Sequence, residues 1–458
     1  MIKKSLFACF LLLAASSAFA GGLLTNTNQS VHFLRNPALD ATTGIEGVYA
    51  NPAGLTFLSE GFHLSFTNQS AFQTRTISST FAPFATNEGN EGNQTKVYTG
   101  EASAPLIPSF QLAYKKDRYV ISTGFAVTGG GGKAVFNKGL PSFEAPISML
   151  PMLVSSQGIP TSKYSVDAYM EGRQYIFGLQ MNGSYKITDA FSGAVGFRLN
   201  IVNNGYKAHL NSIQINPQHP VLNPTGGMMS ATTFFTNAGM TTNAAKTADK
   251  QLDCTQTGWG VTPIVCLNYH LGGLNLAAKY EFKSSLNVQN NTDVDDTGLY
   301  ADGVNTPNDI PAYLSVGAEY DLCKQWKISG GYHHFFDSDA KMANDKQKFI
   351  NGGIDEYLIG SEYTINDMFL VSAGAQYTKS AVTDAYQSDM SYSLNSYSVG
   401  FGGAVKITPQ LRLNLAYFFT NYEKWTKTSA SYNGTPLAGT DVYDRTNKVF
   451  GIGIDYKF

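Results

Sequence analysis

The chain has 458 residues, of which only 14% are charged while 43% are hydrophobic and 13% aromatic, and its formal net charge is −2. Soluble globular chains carry about 25% charged residues, so an ordinary soluble enzyme is excluded, and the near-neutral balance leaves no footprint for nucleic acid. Beyond the N-terminus no run reaches the roughly 18 apolar residues that a membrane-crossing helix needs, which leaves an all-β architecture, a transmembrane barrel whose strands alternate apolar-out with polar-in.

Residues 1–20 read as a cleaved signal peptide: Lys3 and Lys4 precede the apolar run from Leu6 to Ala15, and Ala18-Phe19-Ala20 ends before Gly21. No apolar stretch precedes Cys9, which argues against a lipid-attachment site there. Residues 21–58 show no sustained alternation and carry turns at Asn36-Pro37-Ala38, preceded by Arg35, and at Asn51-Pro52-Ala53-Gly54. In a wide barrel such a segment is predicted to fill the lumen as a plug, since irregular backbone at membrane depth must be buried in protein.

From residue 59 to 458 the period is two. Strands are predicted near 62–72, 107–115, 118–128, 169–186, 190–206, 258–270, 274–288, 311–320, 326–335, 354–364, 368–379, 391–407, 411–422 and 446–458. That makes a 14-stranded antiparallel barrel, with the even number that bacterial single-chain barrels have. Short turns such as Gly272-Gly273, Asn366-Asp367 and Thr408-Pro409-Gln410 alternate with long connections. With both barrel ends facing the periplasm, the long connections are extracellular.

Two of these connections are long and apolar in patches. One, at 129–168, carries Phe136, Phe143, Met149, Leu150, Met152, Leu153 and Val154 and is expected to hold a short helix. The other, at 208–257, carries Met228, Met229, Phe234, Phe235 and Met240. An apolar patch facing water needs a reason, and methionine suits surfaces that accept varied apolar shapes. In the last strand Phe450, Ile452, Ile454, Tyr456 and Phe458 alternate with Gly451, Gly453, Asp455 and Lys457. This ending resembles the signal read by the bacterial barrel-assembly machinery, a partner during insertion.

Other chemistry is sparse. Three cysteines outside the signal peptide, Cys254, Cys266 and Cys323, form no paired spacing, so neither a disulfide framework nor a zinc site is expected. His333 and His334 are adjacent on a strand, point to opposite faces and cannot both ligate one haem iron. The run Asp293-Val294-Asp295-Asp296-Thr297-Gly298 resembles the start of a calcium loop but has Val304 where the twelfth-position acid belongs, and reads as a solvated acidic loop. No nucleophile elbow or His-Glu-x-x-His occurs, and no cofactor and no enzymatic activity are expected.

The Asn51-Pro52-Ala53 tripeptide after a small-residue segment, Gly258-Trp259-Gly260, Asp309-Ile310-Pro311-Ala312, Gly360-Ser361-Glu362-Tyr363 and the terminal Phe together resemble the FadL/TodX family of outer-membrane transporters of hydrophobic compounds. The resemblance spans nearly the whole chain after the signal. It implies a multi-pass barrel in the bacterial outer membrane, among outer-membrane lipids including lipopolysaccharide, with residues 21–58 as a lumenal hatch. It implies capture of a long-chain fatty acid or other hydrophobic small molecule in a groove between the two long loops, lined by the residues named above. Transfer to a tighter pocket against the hatch then leads to sideways exit at a kink in the third strand, around Gly124 or Gly129 to Gly132. Haemin or an aromatic hydrocarbon is the alternative cargo, and an outer-membrane enzyme is the alternative function.

The hatch motif of the family corresponds to Asn51-Pro52-Ala53 in preference to Arg35-Asn36-Pro37-Ala38, because the former is nearer the first strand. A carboxylate headgroup needs a cation, and Arg173, Arg198, Lys207 and Lys348 are the candidates. Lys207 ranks first because it lies where the fifth strand enters the second long loop.

Overall fold

The computed structural model describes residues 23–458, and the expected signal peptide lies outside the described residues. Fourteen long strands close a ring in which each pairs antiparallel with its neighbours in chain order. They are β1 Gly61–Phe81, β2 Thr95–Lys116, β3 Tyr119–Phe136, β4 Tyr164–Lys186, β5 Phe191–Ile215, β6 Lys250–Leu271 and β7 Leu274–Glu281. The second half is β8 Tyr313–Asp321, β9 Trp326–Phe335, β10 Ile354–Thr364, β11 Phe369–Lys379, β12 Ser396–Lys406, β13 Leu411–Tyr422 and β14 Gly439–Lys457. The ring closes where β1 meets β14 over its whole length, from His63 opposite Lys457 to Phe81 opposite Gly439. Short ladder segments such as Asn287–Asp295 and Trp425–Ser429 extend the wall at one end.

The pattern of burial is the inverse of a soluble sheet. On one parity the strands bury polar groups such as Gln69, Gln180, Asn200, Asn268, Glu356 and Asn414. On the other they expose Phe66, Ile121, Val195, Phe197, Leu267, Ile359, Phe401 and Ile452. A polar interior with an apolar exterior is what a closed sheet needs in hydrocarbon. Tyr114, Tyr119, Tyr185, Tyr269, Tyr320, Trp326 and Tyr363 are exposed beside the short turns, an aromatic girdle at that end. Gly61 meets Phe458 at the same end, so both ends of the barrel wall lie with the short turns.

Several strands run further than their alternation suggested. β1 continues nine residues past 72, β14 starts at Gly439, and β3 and β4 reach to Phe136 and from Tyr164. The two long connections are accordingly 137–163 and 216–249. The first holds two short helices, α2 Pro141–Ser148 and α3 Leu150–Ser155, each with proline in its first turn where the missing N–H has no helical partner. The second holds α4 Ala231–Asn237, capped by the Ser230 hydroxyl, and α5 Thr241–Thr247.

Residues 23–58 are almost wholly buried and hydrogen-bond to β1, β3, β4, β6, β9, β10 and β14. A segment bonded to opposite sides of a closed ring lies within it. Its one α-helical turn, α1 Val31–Arg35, is followed by two 3-10 turns, Ile45–Val48 and Pro52–Phe57. Close approach requires glycine in the wall: a Cβ at Gly400 would run into the Leu34 carbonyl, and one at Gly331 into the Asp40 carboxylate.

Candidate functional site: two cavities and an interrupted wall

At the long-loop end the connections pack into one apolar cluster in which Phe81, Phe84, Phe136, Phe143, Leu150, Phe234, Phe235, Tyr392 and Tyr432 are buried. Polar ties hold it together. The buried Glu144 of α2 accepts from Lys96 Nζ at 2.6 Å, from the hydroxyls of Tyr98 and Tyr164 at 2.8 Å, and from Asn87 Nδ2 at 2.9 Å. Asp389, in the 380–395 connection, accepts from the Ser142 N–H of α2 at 2.7 Å.

Between α3 and the α4–α5 pair lies a groove of about 430 Å³. Leu153, Val154, Ile159, Phe234, Phe235 and Met240 supply its apolar lining. Of the loop residues singled out from sequence, Leu153, Val154, Phe234, Phe235 and Met240 therefore border this groove. Phe136, Phe143, Met149 and Leu150 are buried beneath it, packing the loops together. Met152 stands 46% exposed on the outer surface, while Met228 and Met229 are half-buried and outside the groove.

A second cavity of about 260 Å³ lies deeper, against the start of the N-terminal segment. Leu23, Leu24, Tyr206, Val288, Tyr300, Met342 and Tyr386 line it, with amides from Gln174, Asn204, Gln256 and Asn290. One cation borders it, Lys346, whose Nζ sits 4.2 Å from the centre of the Tyr386 ring and donates to the Ser391 carbonyl at 3.4 Å. Burial, helped by nearby Lys427, pulls the Lys346 amine down to about 7. An ammonium so placed gains from any carboxylate that enters.

The four cations proposed from sequence are placed elsewhere. Lys207 is exposed on the outward parity of β5, paired with Asp253 at 2.7 Å, and borders neither cavity. Arg173 shares that outward parity on β4 and donates to Asn203. Lys348 is exposed and paired with Asp345. Arg198 does point inward, but its guanidinium forks onto Glu281 at 2.6 and 2.9 Å. With Lys279, which donates to the Tyr49 carbonyl at 2.8 Å, it flanks the Tyr49 ring of the N-terminal segment.

The wall is interrupted beside the inner cavity. β2 pairs with β3 at Gly100 to Ser103 and again from Phe110, and nothing is paired between. The β3–β4 register slips twice, at Val127/Gly129 and Gly130/Gly132. Gly124 is paired regularly on both sides, so the kink is at the later glycines, where Gly130 takes a positive φ of 66°. The carbonyls that this break leaves over are met from inside. Asn26 N donates to Thr128 O at 2.8 Å, Asn26 Nδ2 to Gly130 O at 2.7 Å, and Gln29 Nε2 to Val127 O at 3.5 Å.

Both Asn-Pro-Ala copies hold the segment to the wall. Asn51 caps the following turn by accepting from Gly54 N, donates to Asn268 at 2.6 Å and accepts from the Cys266 thiol at 3.2 Å. The Pro52 and Ala53 carbonyls accept from Ser184 and Ser192 at 2.8 Å. On the other side Arg35 donates to Glu362 at 2.5 Å and to Ser372 at 2.8 Å, Asn36 donates to Ser329, and Pro37 and Ala38 pack against β11 and β10. Neither copy borders the inner cavity; Leu23 and Leu24 do. Asp40 is bonded to His333 at 2.8 Å, and His333 in turn to Glu356 at 2.8 Å, while His334 faces out onto Asp355. Asp295 accepts from the N–H groups of Thr297, Gly298 and Tyr300, which makes the acidic run a backbone staple. The three cysteines are free.

No family model and no curated protein matches the chain. Solved structures do. A FadL homologue from Pseudomonas aeruginosa is 12% identical over 96% of this chain and 100% of its own, with a TM-score of 0.64. The toluene transporter TodX from P. putida is 16% identical over 91% and 95%, TM-score 0.53. The toluene transporter TbuX from Ralstonia pickettii is 14% identical over 92% and 98%, TM-score 0.54. With a ring of fourteen strands, an interior N-terminal segment and a match over the full length of each neighbour, the chain has the fold of the FadL and TodX proteins.

Proposed function

We propose that this protein is an outer-membrane transporter for the uptake of long-chain fatty acids or similar hydrophobic molecules. The observation that carries the reading is the presence of three features: a groove with an apolar lining between the long loops, a cavity against Leu23 and Leu24 that apolar side chains and amides line and Lys346 borders, and a break in the wall beside that cavity. Cargo enters the groove between α3 and α4–α5, then reaches the cavity at Leu23, Leu24 and Tyr206, where Lys346 meets its carboxylate. Residues 21–58 act as the hatch, and their displacement uncovers the β2–β3 break for exit into the membrane. Sideways exit has a physical rationale, because release into water would forfeit about 0.8 kcal/mol per buried methylene. Lipopolysaccharide and other outer-membrane lipids bathe the apolar exterior, and Phe458 ends the assembly signal.

A second reading, uptake of aromatic hydrocarbons, is favoured by the likeness to TodX and TbuX, which are toluene transporters. Lys346 argues for a headgroup and separates the two. Organic extraction of the purified barrel followed by mass spectrometry tests them. Long-chain carboxylates, depleted in Lys346→Met, support the first reading, and neutral aromatics at equal levels in both proteins replace it with the second.

A further inference from the structure

Lys133 on β3 and Arg173 on β4 are directly opposite in the ladder and project from the outward face of the barrel. Like charges facing each other on one sheet face repel. No acid shares their rung, which continues as Ser103 on β2, Gly205 on β5 and Thr255 on β6. Lys133 reaches diagonally to Glu171 at 3.1 Å, and Glu171 also accepts from the Tyr169 hydroxyl at 2.8 Å. Arg173 has no carboxylate partner among the described residues: its Nη2 donates to Asn203 at 3.0 Å and its Nε is unpartnered. The guanidinium lies across the wall over Gly205, where a Cβ would come within 3.2 Å of Nη2. The acids stand on the next outward rung toward the long loops, as Glu101, Glu171 and Asp253, the last paired with Lys207 at 2.7 Å.

The height of the cationic rung follows from the aromatic residues below it. On β4 and on β6 ten residues separate an aromatic of the short-turn girdle, Tyr185 or Tyr269, from an outward aromatic nearer the long loops, Tyr175 or Trp259. Ten residues of strand cover about 33 Å, which at the tilt of a membrane barrel is about 25 Å of height, the apolar band of such proteins. The outward residues between Tyr185 and Tyr175 are Gly183, Met181, Leu179 and Phe177. Lys133 and Arg173 therefore stand about 5 Å beyond the edge of the hydrocarbon, in the headgroup layer. The same rung adjoins the interruption of the wall. β3 regains its register at Gly132, next to Lys133, and Gly130 pairs with Tyr175. Below the cations the Phe177 ring stacks between Tyr175 at 5.7 Å and Phe125 at 6.1 Å.

We propose that Lys133 and Arg173 bind a phosphate of a phosphorylated glycolipid in the outer leaflet, whose acyl chains then lie over Tyr175 and Phe177 and cover the wall break from the membrane side. A phosphate accepts from the guanidinium fork and the ammonium together, which cancels their repulsion. Asn26 and Gln29 close the break from the lumen, and the lipid closes it from outside, so cargo leaving sideways displaces it. The inference rests on the reading of the barrel as an outer-membrane transporter with its long loops outside.

The test titrates the whole mature chain in a non-ionic detergent with bisphosphorylated lipid A and counts bound lipid by native mass spectrometry. The wild type is compared with Lys133→Gln/Arg173→Gln and with Lys379→Gln, which removes another exposed outward cation, on β11. Surface substitutions of this kind are compatible with folding, and heat-modifiable gel mobility verifies it. Affinity for lipid A should fall about tenfold or more in the double variant and stay unchanged in Lys379→Gln. Dephosphorylated lipid A should bind the wild type and the double variant equally. Equal affinity of the wild type and the folded double variant for lipid A overturns the site and leaves the transporter reading intact. Inorganic phosphate or phosphatidylglycerol binding as tightly as lipid A overturns the assignment to the glycolipid. Recovery of the chain outside the outer-membrane fraction of cells overturns the reading on which the site rests.

Discussion

Asn26 donates its side-chain amide to the Gly130 carbonyl at 2.7 Å, joining the N-terminal segment to the one place where β3 leaves its ladder. A break in a membrane barrel exposes carbonyls that hydrocarbon cannot satisfy. Asn26 and Gln29 supply the missing donors, so the same contacts that seal the wall also hold the segment in position.

Asn26→Leu should release this seal. The Gly130 carbonyl loses its side-chain donor, at about 1–3 kcal/mol for a group left unsatisfied, and the Val127 carbonyl keeps only the bond from Gln29. Hydrogen exchange at residues 24–30 and 126–132 should speed up about tenfold or more while the rest of β3 stays protected. Unchanged exchange at both stretches would show that the contact does not hold the segment.

Leu153→Asp and Met240→Asp place a carboxylate in the outer groove without touching the barrel wall. Affinity for a long-chain probe should fall about tenfold, the effect of one or two poorly buried methylenes plus a desolvated charge. Met152→Asp, on the same helix but pointing to the outer surface, should bind as the wild type. Equal loss in all three variants, read by fluorescent fatty-acid titration, would detach capture from the groove.

The amine of Lys346 titrates at about 7, well below the usual 10.5, because it is buried. Between these values the folded state binds fewer protons than the unfolded state, so this group makes stability rise with pH across that window. Carboxylate binding requires the ammonium, and above pH 7 it must take up a proton. Affinity should therefore be flat from about pH 6 to 7 and fall by up to about tenfold per unit above, while Lys346→Met is flat throughout. A wild-type affinity constant from pH 7 to 9 would remove Lys346 from the headgroup contact.

Asp40→Ala leaves His333 buried with only Glu356 for company. Removing one member of a buried pair costs about 3–5 kcal/mol. Because Asp40 belongs to the N-terminal segment, the loss should appear as leakage of small ions in planar bilayers before it appears as loss of the barrel. Unfolding of the barrel without leakage would make the pair a general stabiliser.

How much could be read beforehand followed from where the bilayer imposes a pattern. Inside the hydrocarbon zone, strands such as that ending in Phe450, Ile452 and Ile454 declare themselves by alternation. Further along, the outward positions Thr74, Thr76, Ser78 and Thr80 are polar, so Gln73 to Phe81 carries no apolar-out alternation and this extension of β1 left no signal in the sequence. Parity also held a warning about Lys207: counting by twos from the outward Phe197 and Ile201 reaches it, and the inward neighbours are Arg198, Asn204 and Tyr206. Lys346 lies in a connection without alternation, two residues from the candidate Lys348, and only tertiary packing distinguishes the buried cation from the exposed one. Likewise, composition marked Phe143 and Leu153 alike as apolar, but their separation into core and groove depends on how α2 and α3 turn.

The most direct test is uptake of radiolabelled oleate by cells lacking their own fatty-acid channel and expressing either the wild-type chain or a double-cysteine variant, Gln29→Cys with Val127→Cys, designed to lock the segment to the β3 break. Oleate should accumulate with the wild type, hardly at all with the oxidised variant, and again after reduction. Equal uptake by oxidised and reduced protein, with the crosslink verified by mass spectrometry, would contradict passage through the β2–β3 break.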